Sequence, residues 1–306
     1  MGNRSEFDVV TGAFGYTGKY ITRRLLNAGR KVRTITGHPD QRREFDDRVE
    51  VAPLDFRDPA GLESAFRGAR VVYNTYWVRF NHGQASFEKA VSNSQALIQA
   101  ARAAGVSKIV HLSIANPSLE SHLPYYSGKA KVEKAIIESG LRYAILRPTV
   151  IFGPEDILIN NIAWFIRHFP LFAIPGSGRY ELQPIFVEDV ADLALREASS
   201  ETNRILDAVG PETFAFEDLV QRIGRAVGKS PRLVHFKPAI ALQMLRIVGA
   251  AVGDVILTRE EIDGLMANLL VSNQSPTGWT RFSEWLKQNA SELGNRYASE
   301  LQRHYR

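Results

Sequence analysis

The sequence predicts an α/β protein: a doubly wound parallel sheet followed by a smaller, mostly helical C-terminal cap. Three observations carry that expectation. Short β-prone runs alternate with helical segments through the first 150 of 306 residues. A glycine-rich turn follows the first of those runs. After Pro148 the alternation gives way to loops and helices. Alternating strands and helices make right-handed βαβ units, whose parallel sheet is covered on both faces.

Phe7 to Val10 is the first β-prone run. Tyr16 to Ala28 reads as a helix stopped by Gly29, and Val32 to Thr36 as a strand. Val49 to Leu54 and Arg70 to Tyr73 are further strands. Between them Pro59 to Phe66 forms a helix, with Asp58 as N-cap and Pro59 in the first turn. Gln84 to Ala104 places Phe87, Val91, Leu97, Ile98 and Ala101 near one helical face and ends at Gly105. Lys108 to Leu112 is a strand, Tyr125 to Ser139 a helix closed by Gly140, and Tyr143 to Leu146 a strand. Beyond Pro148, helices are expected near 157–168, 189–198, 216–227, 238–250, 258–270 and 280–303. The division is residues 1–150 as a nucleotide-binding domain and 151–306 as a substrate-binding cap, with some strands returning to the sheet.

Composition narrows the chemistry. There is no cysteine, which excludes disulfides, a thiol nucleophile, iron–sulfur clusters and thiolate zinc sites. The seven histidines show no H-x-x-x-H spacing, so no metal site is expected. Lys and Arg number 38 against 33 Asp and Glu. No dense basic stretch interleaved with aromatics occurs, so nucleic acid is not an expected partner. The N-terminus lacks a signal-peptide core, and no apolar run reaches transmembrane length. The default is a cytoplasmic monomer or homodimer acting on a small molecule. The apolar stretch Ala239 to Val252 reads first as core, with a greasy pocket wall or peripheral membrane contact as alternatives.

Thr11-Gly12-Ala13-Phe14-Gly15-Tyr16-Thr17-Gly18 joins the first strand to the first helix. Glycines at 12, 15 and 18 allow a tight turn, close approach of a pyrophosphate, and close helix–strand packing. The helix N-terminus adds N–H groups and a positive dipole end. A P-loop is excluded, because position 13 is Ala and position 20 is Tyr. A dinucleotide is the expected ligand of this Rossmann-type half. Strand two ends Thr36-Gly37-His38 without the carboxylate that grips the ribose diol of NAD, and Arg42 and Arg43 follow. That favours NADP(H), with NAD(H) as the alternative.

Tyr125 and Lys129 stand at i and i+4 on one helix face. A phenol ordinarily titrates near ~10 and is a poor base at neutrality, and a neighbouring ammonium favours its ionised form. The pair is suited to exchanging a proton with an alcohol or carbonyl while hydride moves to or from a nicotinamide. Ser113, at a strand end, is placed to polarise the same oxygen. Tyr126 is the competing phenol.

With TGAFGYTG, YYSGK and LRPTVIFGPED in this order, the sequence resembles the short-chain dehydrogenase/reductase superfamily in its extended or atypical branch. Later segments, among them GSGRYELQPIFVEDVADLA and PTGWTRFSEWLKQN, look like the branch holding the accessory nucleotide-binding subunit of respiratory complex I and its bacterial epimerase/dehydratase-like relatives. The resemblance implies pyrophosphate contacts from Gly12, Phe14, Gly15, Tyr16, Thr17 and Gly18. It implies an adenine edge at Asp55 and Phe56, and a ribose segment at Asn74, Thr75 and Tyr76. Ser113, Tyr125 and Lys129 match the catalytic trio, Lys129 also reaching the ribose. Pro148, Thr149 and Val150 match the stretch against the nicotinamide. Two departures stand out: bulky Asn74-Thr75-Tyr76-Trp77 where extended members carry small residues, and Ala90 where a helix asparagine is common, with Asn93 one turn on.

Extended members acting on nucleotide sugars usually carry an arginine seven residues before the Asp of the returning segment. Counting back from Asp189 lands on Leu182, with Arg179 three residues earlier. Tyr76 and Trp77 make the substrate surroundings aromatic, and Arg179 is the remaining polar candidate there. The expectation is an NAD(P)-dependent oxidoreductase or epimerase-like enzyme for a hydroxyl or ketone substrate of apolar character. The alternatives are a non-catalytic NADP(H)-binding partner protein and a nucleotide-sugar epimerase.

Overall fold

The computed structural model describes residues 6–37 and 45–304. The chain divides by contacts into two compact units: Met1–Pro148 with Val187–Ala208, and Thr149–Phe186 with Val209–Arg306.

The first unit runs β1 (Phe7–Thr11), α1 (Tyr16–Asn27), β2 (Lys31–Thr36), β3 (Val49–Pro53), α2 (Pro59–Phe66), β4 (Ala69–Asn74), α3 (Phe87–Ala103), β5 (Lys108–Leu112), α4 (Pro124–Glu138) and β6 (Arg142–Pro148). These elements follow the sequence pattern to within one to three residues. Asp58 caps α2 by accepting from the Gly61 N–H, with Pro59 in the first turn. All neighbouring strands are parallel, in the order Arg204–Ala208, β6, β5, β4, β1, β2, β3. The order reverses between β1 and β4, the switch point at which doubly wound sheets bind ligands beyond the strand ends.

The seventh strand, Arg204–Ala208, and the helix Val187–Ala198 before it come from the half that the sequence reading gave to the cap. The strand extends the sheet past β6. Buried Lys108 anchors this return, its Nζ donating to the carbonyls of Glu197 and Ser200, both at 2.6 Å. Val9, Ile35, Phe66, Val72, Leu97, Ile109, Val132 and Ile145 are among the core residues between sheet and helices.

The second unit is less helical than the sequence suggests. Leu171–Pro175 pairs in parallel with Arg232–Phe236, Val150–Phe152 with Pro184–Phe186, and Glu181–Leu182 runs antiparallel to Phe214–Ala215. The single helix expected over 280–303 is two, Phe282–Asn289 and Glu300–His304. Gly294 breaks it with φ +74, and a Cβ there would stand 2.5 Å from Ala163 C and Trp164 N. Arg167 binds the carbonyls of Ala290 and Leu293, and Asn160 and Asn161 take those of Arg296 and Ala298. Side chains thus replace the helical hydrogen bonds across that gap. Helix 258–270 is shorter than expected, Arg259–Met266, and opens on a Thr258–Glu261 capping box. The stretch read first as core, helix Pro238–Val252, buries only Ala241 and Gly249.

Candidate functional site

The glycine turn is built as its spacing requires. Gly12 takes φ +72 and donates to the Ile35 carbonyl at 3.0 Å, fixing the turn to β2. The Gly15 N–H returns to Gly12 O at 2.9 Å. A Cβ on Gly18 would lie 2.2 Å from that same Gly12 oxygen, so only glycine lets α1 start against the turn. Gly15 is the N-cap of α1 and no side chain caps the helix. Its first-turn N–H groups and dipole are the donor set that suits a pyrophosphate. Phe14 stacks on buried Phe45, and Tyr16 meets Tyr20 edge to face.

At the end of β2, Thr36 is buried and its carbonyl accepts from Leu54 N–H, while Gly37 is exposed. His38, Arg42 and Arg43 lie outside the described residues. Asp55 receives Nε and Nη2 of Arg57 at 2.9 and 3.0 Å, and these bonds hold its carboxyl down at about 2. Phe56 packs on Tyr76 with centroids 5.2 Å apart. Asn93 Nδ2 donates to the Tyr76 hydroxyl at 2.8 Å, so the asparagine one turn past Ala90 serves this ring. Burial raises the Tyr76 phenol above its ordinary value, against a smaller opposing pull from the Asn93 hydrogen bond.

A buried polar chain underlies the ribose segment. Thr75 N–H donates to Thr11 Oγ1 at 2.9 Å, and that hydroxyl donates to Asn74 Oδ1 at 3.1 Å. Asn74 Oδ1 also accepts from Tyr76 N–H, which leaves Asn74 Nδ2 to donate to His111 Nδ1 at 3.1 Å. His111 therefore carries its proton on Nε2. Burial, with the Lys129 charge second, holds this imidazole neutral well below its ordinary value. Sequence reasoning passed over His111. Its only signal was one polar ring in the otherwise apolar Ile109-Val110-His111-Leu112 run.

The catalytic candidates lie just past the end of β5 and in the first turns of α4, two segments that Lys129 joins. Ser113 donates its N–H to Leu146 O at 2.7 Å; its buried Oγ has no hydrogen-bond partner among the described residues. Tyr125 is half-buried and touches Trp77, Phe87 and Tyr126 edge to face. Lys129 is 3% exposed, and its Nζ donates to Leu112 O at 2.9 Å under the Trp77 ring, 4.6 Å from the centroid. Trp77 thus spans Tyr125 and Lys129, and its buried Nε1 has no partner among the described residues. Tyr126 is more deeply buried than Tyr125.

Burial lowers the Lys129 ammonium from 10.5 to about 7, against a smaller opposing pull from Glu133, itself bound bidentately by Arg147. A folded-state value below the unfolded one means the unfolded chain holds the extra proton between about 7 and 10.5. Lys129 therefore adds a rise in stability with pH across that window. Urea denaturation at successive pH values is expected to show the rise in the wild type and its loss in Lys129→Met. Parallel curves for the two proteins would contradict it.

Pro148 closes β6 within the first unit and accepts from Ala115 N–H at 2.9 Å. Thr149 and Val150 begin the second unit, where Thr149 Oγ1 binds Gln183 O and Val150 pairs with Pro184. Arg179, also in the second unit, is exposed beside Gly176, Ser177, Glu217 and His235 around a surface hollow of about 340 Å³. Leu182 is core there, paired with Phe214.

The sheet order and the glycine turn define a Rossmann-type dinucleotide-binding protein. Residues 12–156 match the family model for NAD(P)H-binding, and they form an NAD(P)H-binding domain. The chain is 26% identical over 286 residues to the Arabidopsis thaliana mitochondrial NADH dehydrogenase [ubiquinone] 1 alpha subcomplex subunit 9, covering 87% of this chain and 71% of that one. Its fold is similar to that of the Escherichia coli NADPH-dependent quinone oxidoreductase QOR2 (TM-score 0.78, 20% identity, 94% and 100% coverage). It is also similar to that of the Citrobacter sp. triphenylmethane reductase (TM-score 0.76, 18% identity, 93% and 99% coverage). The resemblance to the epimerase/reductase superfamily and its complex I branch is borne out. Among the described residues, no helix is long and apolar enough to cross a membrane.

Proposed function

We propose that the protein is an NADP(H)-dependent reductase of an apolar carbonyl or quinone-like substrate, with Tyr125 as the proton-transferring group. One observation carries this reading: Tyr125, Lys129 and the unpartnered Ser113 Oγ stand beyond the sheet ends of a domain whose glycine turn suits a pyrophosphate. A bound NADPH would supply hydride to the substrate carbon. The Tyr125 hydroxyl gives its proton to the substrate oxygen, so the carbonyl becomes an alcohol and the phenol a phenolate. The Lys129 ammonium favours that phenolate, and Ser113 Oγ–H donates to the same oxygen. Trp77, Phe87 and Tyr126 give the surroundings their apolar character, in keeping with an uncharged substrate.

NADPH is expected to bind more tightly than NADH. Gly37 and His38, rather than a carboxylate that grips a ribose diol, come directly after Thr36, and an arginine pairing with a 2′-phosphate would be charge-assisted. Fluorescence titration of both cofactors, followed by nicotinamide oxidation with ketone and quinone panels, tests the reading. Turnover driven by NADPH with apolar acceptors is the expected result. A preference for NADH, or activity confined to UDP-sugars, would count against it.

A second reading has its own support. Lys129 Nζ is already engaged by Leu112 O and the Trp77 face, an arrangement compatible with a protein that holds NADP(H) without turning it over. The similarity to a complex I subunit favours the same alternative.

A further inference from the structure

Helix Pro238–Val252 of the second unit has apolar residues on every side yet is poorly buried. Its 15 residues include only two polar side chains, Gln243 and Arg246. Ala241 and Gly249 are its buried residues, and the helix packs against the strands Leu171–Pro175 and Arg232–Phe236. On the opposite stripe, Ile240, Met244 and Ile247 are 46%, 39% and 72% exposed, and Ala251 continues it one turn on. A helix apolar all round is ordinarily covered on all sides, so this outer stripe is suited to an apolar environment.

The charge along this stretch of chain is equally one-sided. From Leu219 to Gly253 the chain carries Arg222, Arg225, Lys229, Arg232, Lys237 and Arg246 and no Asp or Glu. All six are exposed, and among the described residues none forms an ion pair with a carboxylate. The other 32 Lys and Arg of the chain face 33 Asp and Glu. The whole net positive charge therefore resides in the segment that also exposes the apolar stripe.

We propose that helix Pro238–Val252 is an interfacial helix by which the protein docks on an anionic lipid bilayer. At ~1.5 Å per residue it is roughly 22 Å long, too short to span the hydrocarbon and long enough to lie in the headgroup plane. A bilayer offers what the segment lacks: an apolar layer for Ile240, Met244 and Ile247, and negative charge for the six cations. A protein partner would need an acidic, apolar groove matched to this helix. The bilayer needs no such fit.

The test is flotation of the full chain with phosphatidylcholine vesicles, alone or with about one third phosphatidylglycerol, at low and high salt. Binding to the anionic vesicles, at least tenfold above the neutral ones and released by salt, is expected. Ile247→Asp should reduce it at least tenfold with melting temperature unchanged, because the side chain faces solvent. The double variant Lys229→Glu/Arg232→Glu should reduce it as well. No binding to anionic vesicles, or binding unaffected by Ile247→Asp, overturns the proposal. So does a lipid-free dimer that Ile247→Asp dissociates, which would assign the stripe to a second copy of this chain.

Discussion

Tyr125→Phe is expected to lower turnover by roughly 10²–10⁴-fold, the usual contribution of a positioned general acid, while NADPH affinity stays within a few-fold. The substitution removes one oxygen and keeps the ring that meets Trp77, Phe87 and Tyr126 edge to face. The proposed pyrophosphate contacts are made elsewhere, by the glycine turn and the α1 N-terminus, which the substitution does not touch. Steady-state kinetics with the best acceptor, beside a cofactor titration, separates the two effects. Equal turnover in wild type and variant would remove Tyr125 from the mechanism.

The second large effect is expected at Gly18. Valine there sets a Cβ 2.2 Å from Gly12 O, a clash with backbone that no side-chain rotation relieves. The turn or the start of α1 must shift, displacing the N–H groups that would meet the pyrophosphate. NADPH affinity should fall roughly 100-fold or more, about 2.7 kcal/mol, with a fold penalty of ~1–3 kcal/mol from overpacking. Gly15→Ala, whose Cβ would stand 3.3 Å from the same oxygen, should lose much less. Calorimetric titration of both variants checks the order, and undiminished binding by Gly18→Val would contradict the assignment.

The first unit was legible because each of its elements is set by local signals that tertiary packing reinforces. Glycines end α1, α3 and α4, Asp58 and Pro59 start α2, and β-prone runs fill the sheet. The return of Val187–Ala208 to that sheet was not legible in detail, since its anchor is a buried lysine on β5 binding distant carbonyls. The paired short strands of the second unit escaped for a related reason. Leu171–Pro175 and Arg232–Phe236 lie about 60 residues apart, and neither has an alternation strong enough to stand alone. The break near Gly294 has one local signal, the glycine itself, and the close approach of Ala163 and Trp164 that requires a glycine there is a tertiary fact.

In the site, spacing found the glycine turn and the Tyr125–Lys129 pair. It did not find what Lys129 rests on. The Trp77 face and the Leu112 carbonyl reach the lysine from the loop after β4 and the end of β5, and it is burial at that place that brings it down to about 7. The Tyr76–Asn93 bond likewise joins a loop to a helix 17 residues on, which spacing alone does not reveal.

The central claim is that hydride leaves a bound NADPH beside Tyr125. The most direct measurement follows deuterium from NADPH labelled separately on each face of nicotinamide C4, with an acceptor drawn from the ketone and quinone panel. One labelled form is expected to lose its deuterium completely and the other to keep it, and Tyr125→Phe is expected to slow this loss without changing the face. NADPH bound at one per chain, with neither label lost to any acceptor, would contradict the account and leave a protein that holds the dinucleotide without using it.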